Sequence, residues 1–288
     1  MKNRIKRILC PIDFSDAANN AMEYAAQLAQ ELNASLTLWN MREIPIMDEI
    51  AVQSALPLAL RKKEQELTEI LKDWCEEIKN EYGIPCGYSI GTGIDNLEKT
   101  LAHYINGENF DLIIAGTDGV DDIYQFFFGT NSYRIMKNVQ CPVMVIPGQY
   151  TFKKINSVIF ATDYASADAN IAKDLVNSFH PDVTFVHFYK NLDSAHDTLF
   201  QSFKRTFQEK LSDKSSSVKY KLLKSEDKLN GLVELFSAEE TDLVILSAEY
   251  RNWIEDLFHN SFTKKILGGI QIPALIFHQT KETGYIIK

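Results

Sequence analysis

No run of apolar residues in this sequence reaches the roughly 20 that a membrane-spanning helix needs. The basic opening, MKNRIKRILCPIDFS, is not followed by the apolar stretch and small-residue cleavage site of a signal peptide. The cytoplasm is therefore the expected compartment. Cysteine is scarce: Cys10, Cys75, Cys86 and Cys141 are the only four, all in the first half and none in a C-x-x-C pair. Such spacing predicts neither a disulfide framework nor a metal site. Cys10 and Cys141 fall in apolar strand patterns, where a thiol acts as a small hydrophobe. His180, His187, His196 and His259 show no H-E-x-x-H or related ligand spacing. There is no Walker P-loop and no G-x-S-x-G elbow, and no spacing pairs a nucleophile with a base. Positive charge is in deficit too. The net charge is −9, which opposes non-specific attraction to nucleic-acid phosphates. The deficit is uneven: residues 1–150 carry 13 Lys and Arg against 21 Asp and Glu, the remainder 17 against 18.

What is present centres on Asp111 to Pro147, DLIIAGTDGVDDIYQFFFGTNSYRIMKNVQCPVMVIP. DLIIAG and VMVIP are continuous apolar runs, as suits strands buried on both faces of a parallel sheet. Between them stand Gly116, Gly119 and Gly129, the last followed by Thr130. Glycine permits positive φ and close backbone approach to a ligand. Amides at a helix start, with a hydroxyl beside them, can cradle a phosphate. Nucleotide binding is the chemistry these residues suggest.

At 288 residues the chain exceeds the usual size of one domain, and it contains an internal repeat. KRILCPIDFSDAANNAMEYAAQLAQELNASLTLWNM has a counterpart in INSVIFATDYASADANIAKDLVNSFHPDVTFVHFY, with Asp13 matching Asp163. Asp111–Gly116 likewise matches Asp242–Ser247, and Cys141–Ile146 matches Ile272–Phe277. The expected boundary divides residues 1–149 from 150–288, with a short linker over 149–156.

In the first copy, strands are predicted at Arg7–Ile12, Leu36–Met41 and Pro85–Ile90, the last followed by a turn at Gly91 and Gly93. A helix capped by Ser15 or Asp16 should run to about Leu32, burying Ala21, Tyr24, Ala25, Leu28, Ala29 and Leu32 at helical spacing. A loop or flap containing Pro45 and Pro57 precedes a helix from about Leu60 to Tyr82, which Gly83 ends. Asp95 should cap a further helix to about Ile105. In the second copy a strand ends near Leu223, a helix spans about Leu229–Glu239, another ends at Ile266–Gly269, and a last strand covers Ile272–His278. Strands alternating with helices predict a doubly wound parallel sheet whose ligand cleft lies at the strands' carboxyl ends.

The pattern Gly116-x-x-Gly119-x(9)-Gly129-Thr130, followed by a helix and the Cys141-Pro142-Val143 strand entry, resembles the ATP-binding signature of the universal stress protein family. Pro11-Ile12-Asp13-Phe14-Ser15 is similar to that family's P-x-D-F/Y-S pattern. The resemblance implies two tandem Rossmann-like domains, each a five-stranded parallel sheet between helices, packed as an internal pseudo-dimer through their last strands. It implies a nucleotide site in the first domain formed by Pro11, Asp13, Met41, Ala115, Gly116, Gly119, Gly129, Thr130 and Asn131. Asp13 would contact the nucleoside, Met41 line the base pocket, Ala115 abut the nucleotide, and Asn131 join Thr130 at the phosphates. Read from the residues alone, Asp13 could instead cap the following helix.

Val120, Asp121 and Asp122 follow Gly119, where the family places a basic or small residue. Two carboxylates beside a triphosphate repel it unless a divalent cation, Mg or Mn, intervenes, so either a metal bridges them or affinity is low; alternatively they form the exposed first turn of a helix. Tyr124, Phe126, Phe127 and Phe128 suit packing, as core, flap contact or dimer surface. The second copy has Ser247, Tyr250, Asn260 and Ser261 in place of Gly116, Gly119, Gly129 and Thr130, and Ala165 in place of Ser15. A tyrosine at the close-approach position would fill the phosphate space, so this half reads as a non-binding partner domain. The expectation is a stress-response regulator that holds ATP or a related adenine nucleotide with little or no turnover and acts on an unknown protein partner, as a pseudo-dimeric monomer or a homodimer. The alternatives are a scaffolding module that binds no nucleotide and a weak nucleotide hydrolase or adenylyl-transfer enzyme.

Overall fold

The computed structural model describes residues 5–43, 56–93, 97–117, 141–162, 164, 166–189, 194–210, 217–224, 231, 235, 240–246 and 272–276. In the first half, strands β1 (Arg7–Pro11), β2 (Ser35–Glu43), β3 (Cys86–Gly93), β4 (Leu112–Thr117) and β5 (Val143–Pro147) are interspersed with helices α1 (Asp16–Leu32), α2 (Leu56–Tyr82) and α3 (Leu97–Glu108). The second half repeats the scheme with β6 (Ser157–Ala161), β7 (Asp182–Tyr189), β8 (Val218–Lys224), β9 (Leu243–Leu246) and β10 (Ala274–Ile276), and with α4 (Ser166–Phe179) and α5 (Ser194–Lys210). No described helix is long and apolar enough to cross a membrane.

The strands form one ten-stranded sheet in the order β3-β2-β1-β4-β5-β10-β9-β6-β7-β8. Every pairing within a half is parallel. Among the described residues the single antiparallel pairing joins β5 to β10, with Val145 opposite Ala274, Met144 opposite Leu275 and Val143 opposite Ile276. Leu9, Ile113, Val143 and Val145 pack on one face with Leu101 and Ile105 of α3. Ile8, Ile114, Met144 and Ile146 pack on the other with α1 and α2. The continuous apolar runs thus fill both faces, as a parallel sheet requires.

The repeat extends to single bonds. Asp111 Oδ2 accepts hydrogen bonds from the Lys6 and Arg7 amides at 2.8 and 2.9 Å, and Asp242 Oδ2 accepts from those of Asn156 and Ser157, both at 2.9 Å. In each half the aspartate before one central strand therefore fixes the start of its neighbour. Left-handed backbone recurs at matching places: Phe14 (φ 67°) and Tyr164 (φ 63°) precede α1 and α4, while Asn33 (φ 49°) and His180 (φ 51°) end them. His180 is thereby a helix-terminating residue. The expected buried face of α1 is observed in full.

Three boundaries differ from expectation. Gly91 and Gly93 do not form a turn; they lie inside β3, paired with Met41 and Glu43, because β2 runs on past Met41 and keeps offering backbone partners. Gly91 is needed for space, since a Cβ there would lie 2.5 Å from the Trp39 indole. Helix α2 begins at Leu56 rather than near Leu60; Pro57 is no obstacle in the first turn, where its missing N–H has no intrahelical acceptor. Asp95, most of the predicted 229–239 helix and the 266–269 helix end lie outside the described residues. The 149–156 segment is no loose tether. Asn20 Nδ2 donates to the carbonyls of Pro147 and Tyr150 at 3.1 and 3.2 Å, and Phe152 packs edge-on against Tyr24, centroids 5.1 Å apart.

Leu275→Ala should cost about 2–5 kcal/mol, the usual range for emptying a buried leucine site. Because Leu275 lies on the junction, urea unfolding should show one transition at a lower midpoint with an unchanged slope. A second-half transition moving alone would mean that the halves unfold independently.

Candidate functional site

Register fixes which sequence-predicted residues meet. Ile8 and Leu9 of β1 pair with Leu112 and Ile113 of β4, so Pro11 and Ala115 lie level, each two residues further on. Pro11 pairs across to Trp39, and Met41 to Gly91. Side chains alternate along a strand, and Leu9, Trp39 and Ile113 face α3. Pro11, Met41 and Ala115 therefore face α3 too, at the carboxyl edge of the first half's sheet.

Just beyond β1 the chain is held by two bonds. The Ile12 amide donates to Trp39 O at 2.7 Å, and Asn40 Nδ2, buried, donates to Ile12 O at 2.6 Å. Asp13 follows, exposed to solvent. Its Oδ1 accepts from the Ser15 amide at 3.0 Å and the Ser15 hydroxyl at 2.6 Å. Ser15 Oγ in turn accepts from the Ala18 amide at 3.2 Å and is the N-cap of α1. Of the two expected caps, Ser15 and Asp16, it is Ser15 that caps the helix, and Asp13 orients the capping hydroxyl. Both bonds use Oδ1. Phe14 anchors the turn by an edge contact with Trp74, centroids 5.2 Å apart.

Gly116 is fixed by packing. A Cβ there would lie 2.1 Å from Ala17 O and 2.5 Å from its carbon, so the first turn of α1 sits directly on the end of β4. Gly119, Gly129, Thr130 and Asn131 lie outside the described residues, as do Val120, Asp121, Asp122, Tyr124 and Phe126–Phe128. The site is thus described on its β1, β2 and β4 sides.

The second half preserves the latch and changes what surrounds it. His187 stands on β7 where Asn40 stands on β2, and its Nδ1 lies 2.8 Å from Thr162 O. A carbonyl only accepts, so Nδ1 carries the proton. The Tyr164 ring stacks on the imidazole with centroids 4.5 Å apart. Thr162 Oγ1 donates to Asp168 Oδ2 at 2.6 Å and accepts from the Tyr164 amide at 2.9 Å. All four side chains are buried. Phe188 takes the place of Met41 and is buried against Gly231, where a Cβ would come within 2.4 Å of its ring. Asp163, Ala165, Ser247, Tyr250, Asn260 and Ser261 lie outside the described residues, as does the His196 side chain and all of His259.

Sequence reasoning missed Asn40. The available signal was the repeat itself, which puts a polar residue at the same place in two otherwise apolar strands. Cys10 is a buried residue of β1 as expected, whereas Cys141, buried too, lies at a bend two residues before β5; burial pushes both thiols well above their ordinary range. Among the described residues no group of three or more His, Cys, Asp or Glu is placed to hold a metal ion.

The fold and this edge define a tandem pair of Rossmann-like α/β units joined through their last strands. The universal stress protein family model matches residues 4–147, and the chain belongs to that family. A universal stress protein of Methanocaldococcus jannaschii is 24% identical over 145 residues, covering 50% of this chain and 84% of that one. A putative universal stress protein of Staphylococcus aureus is 28% identical over 151 residues, covering 49% of this chain and 83% of its own. The likeness of the whole chain is structural: a universal stress protein from Archaeoglobus fulgidus superposes with a TM-score of 0.67 at 12% identity, covering 96% of this chain and 97% of its own.

Gly116→Ala should destabilise the protein by about 1–3 kcal/mol, the usual cost of overpacking, seen as a lowered midpoint in urea without any ligand present. Asn40→Leu should cost about 1–3 kcal/mol by leaving Ile12 O without its buried donor, and Asn40→His, the second half's own solution, should recover most of it. Equal losses for leucine and histidine in the same urea titration would refute the latch.

Proposed function

We propose that the first unit, residues 1–149, holds ATP or a related adenine nucleotide at the carboxyl edge of its sheet, and that the second unit, residues 150–288, is a non-binding partner. The observation that carries this is the convergence of Pro11, Met41 and Ala115 on one face beside the exposed carboxylate of Asp13. The donor set suits the ligand: Met41 offers a polarisable thioether to a base, Ala115 is small enough to let a nucleoside approach, and Asp13 Oδ2 can accept from ribose hydroxyls. Gly119, Gly129, Thr130 and Asn131 would take the phosphates through backbone amides and hydroxyls. Mg or Mn would offset the charge of Asp121 and Asp122 against the triphosphate. In the second unit Phe188 replaces the thioether and the ring pair of Tyr164 and His187 fills the region behind the turn, which supports assigning binding to the first unit alone.

The role that fits is regulatory, with nucleotide occupancy altering what the protein presents to a protein partner. Turnover is not part of the proposal.

Calorimetric titration with ATP, with and without Mg or Mn, after removal of co-purified ligand, should give one site per chain. Asp13→Ala should weaken it by about tenfold to a hundredfold, the equivalent of losing a hydrogen bond to a charged group, and Gly119→Val should abolish it. Absence of both heat and thermal shift in the wild-type protein would favour the scaffolding module. Phosphate release that disappears with Asp13→Ala would favour the hydrolase.

A further inference from the structure

Gly83, with φ of 66°, ends α2 and lets the chain reverse into β3. That reversal brings together two cysteines that no sequence motif links. Cys86 Sγ lies 3.2 Å from Cys75 Sγ and donates to it, and both thiols are reduced. Cys75 is on the buried side of α2. Cys86 is the first residue of β3, the outermost strand of the sheet, and remains 8% exposed.

We propose that Cys75 and Cys86 form a hydroperoxide-oxidised dithiol that closes reversibly into a disulfide tying α2 to β3. The two sulfurs are already in contact, so closure needs a movement of about 1 Å from 3.2 Å to a bond of about 2 Å. Their environments differ in the sense such chemistry requires. The hydrogen bond from Cys86 lowers the Cys75 pKa, with the Lys79 ammonium one helical turn away acting in the same direction and burial opposing both. That same bond raises Cys86, with burial adding to it. Cys75, the acceptor of that hydrogen bond and the nearer of the two to Lys79 along α2, is the attacking thiolate, and Cys86, its donor, the resolving thiol. Cys10 and Cys141, each buried and raised, have no such partner and stay inert.

In the first step Cys75 Sγ attacks one oxygen of hydrogen peroxide; the O–O bond breaks, the departing hydroxide takes a proton and leaves as water, and Cys75 becomes a sulfenic acid. In the second, Cys86 Sγ gives up its proton and displaces the sulfenic hydroxyl, which leaves as water. One S–S bond replaces two S–H bonds, and one peroxide is reduced to two waters. A dithiol reductant reverses the change by exchange. The chemistry is independent of nucleotide binding.

The test uses the full chain. Stoichiometric hydrogen peroxide, followed by alkylation and peptide mapping, should yield one linkage, Cys75 to Cys86, with Cys10 and Cys141 alkylated only after denaturation. Dithiothreitol should restore all four thiols. With Cys86→Ser, dimedone should label Cys75; with Cys75→Ser, Cys86 should remain unlabelled. Thermal melts of the reduced variants establish that each is folded. The proposal is overturned if the folded wild-type protein forms no linkage at a peroxide concentration that oxidises a reference dithiol peptide, if linkages form equally with Cys10 or Cys141, or if Cys86 is labelled in Cys75→Ser as readily as Cys75 is in Cys86→Ser.

Discussion

The antiparallel contact of Val143–Val145 with Ala274–Ile276 is the interaction on which the rest depends. A parallel five-stranded sheet whose last strand is bare presents a row of unpaired amides and carbonyls, an edge that invites association. Here each half's bare edge is satisfied by the other's, with Met144 and Leu275 buried where they meet. The pairing makes one sheet from two and leaves β3 and β8 as its outer strands. It also turns the carboxyl ends of the first half's strands, where Pro11, Met41 and Ala115 gather, in the sense opposite to those of the second.

The two halves show which parts of the unit serve folding and which are free to vary. The aspartate ties of Asp111 and Asp242, the left-handed turns at Phe14 and Tyr164, and the side-chain latch of Asn40 and His187 recur in both. Whatever binds ligand, these hold the strands and the turns that follow them in register. The surroundings of the latch diverge: in the first half a solvent-exposed Asp13 orients the Ser15 hydroxyl that caps α1, whereas in the second Thr162, Asp168, Tyr164 and His187 form a buried cluster. Gly116 serves folding as well, through its close contact with Ala17, whatever part its place in the glycine signature gives it toward a ligand.

Much of the fold was legible because its determinants are local or periodic. Apolar runs mark buried strands, the helical spacing of Ala21, Tyr24, Ala25 and Leu28 marks the inner face of α1, and the repeat carries the second half along with the first. Features that depend on a distant partner were illegible. Gly91 reads as a turn, since glycine punctuates loops more often than strands, and only the bulk of Trp39 explains it inside β3. Asn40 has no local signature, because its acceptor is a carbonyl just past the end of another strand. Cys75 and Cys86 become neighbours only through the reversal at Gly83. Of the candidate site, Asp13 could be placed from the pattern of strands, and Pro11, Met41 and Ala115 entered through the family resemblance, but the division of labour between Asp13 and Ser15 depends on how the turn folds, since either carboxylate or hydroxyl can cap a helix.

The segment between the halves has a further consequence. Asn20 holds the carbonyls of Pro147 and Tyr150, and Phe152 is packed on Tyr24, so the connection leaves the first unit already aimed at the second. A dimer of separate chains obeys mass action: it falls apart on dilution, exchanges partners, and must carry every substitution twice. A pairing made within one chain escapes all three, because its effective concentration is set by the tether and not by abundance. Phe188 and His187 could therefore enter one half alone, and the asymmetry they create persists in a cell holding only a few copies of the protein.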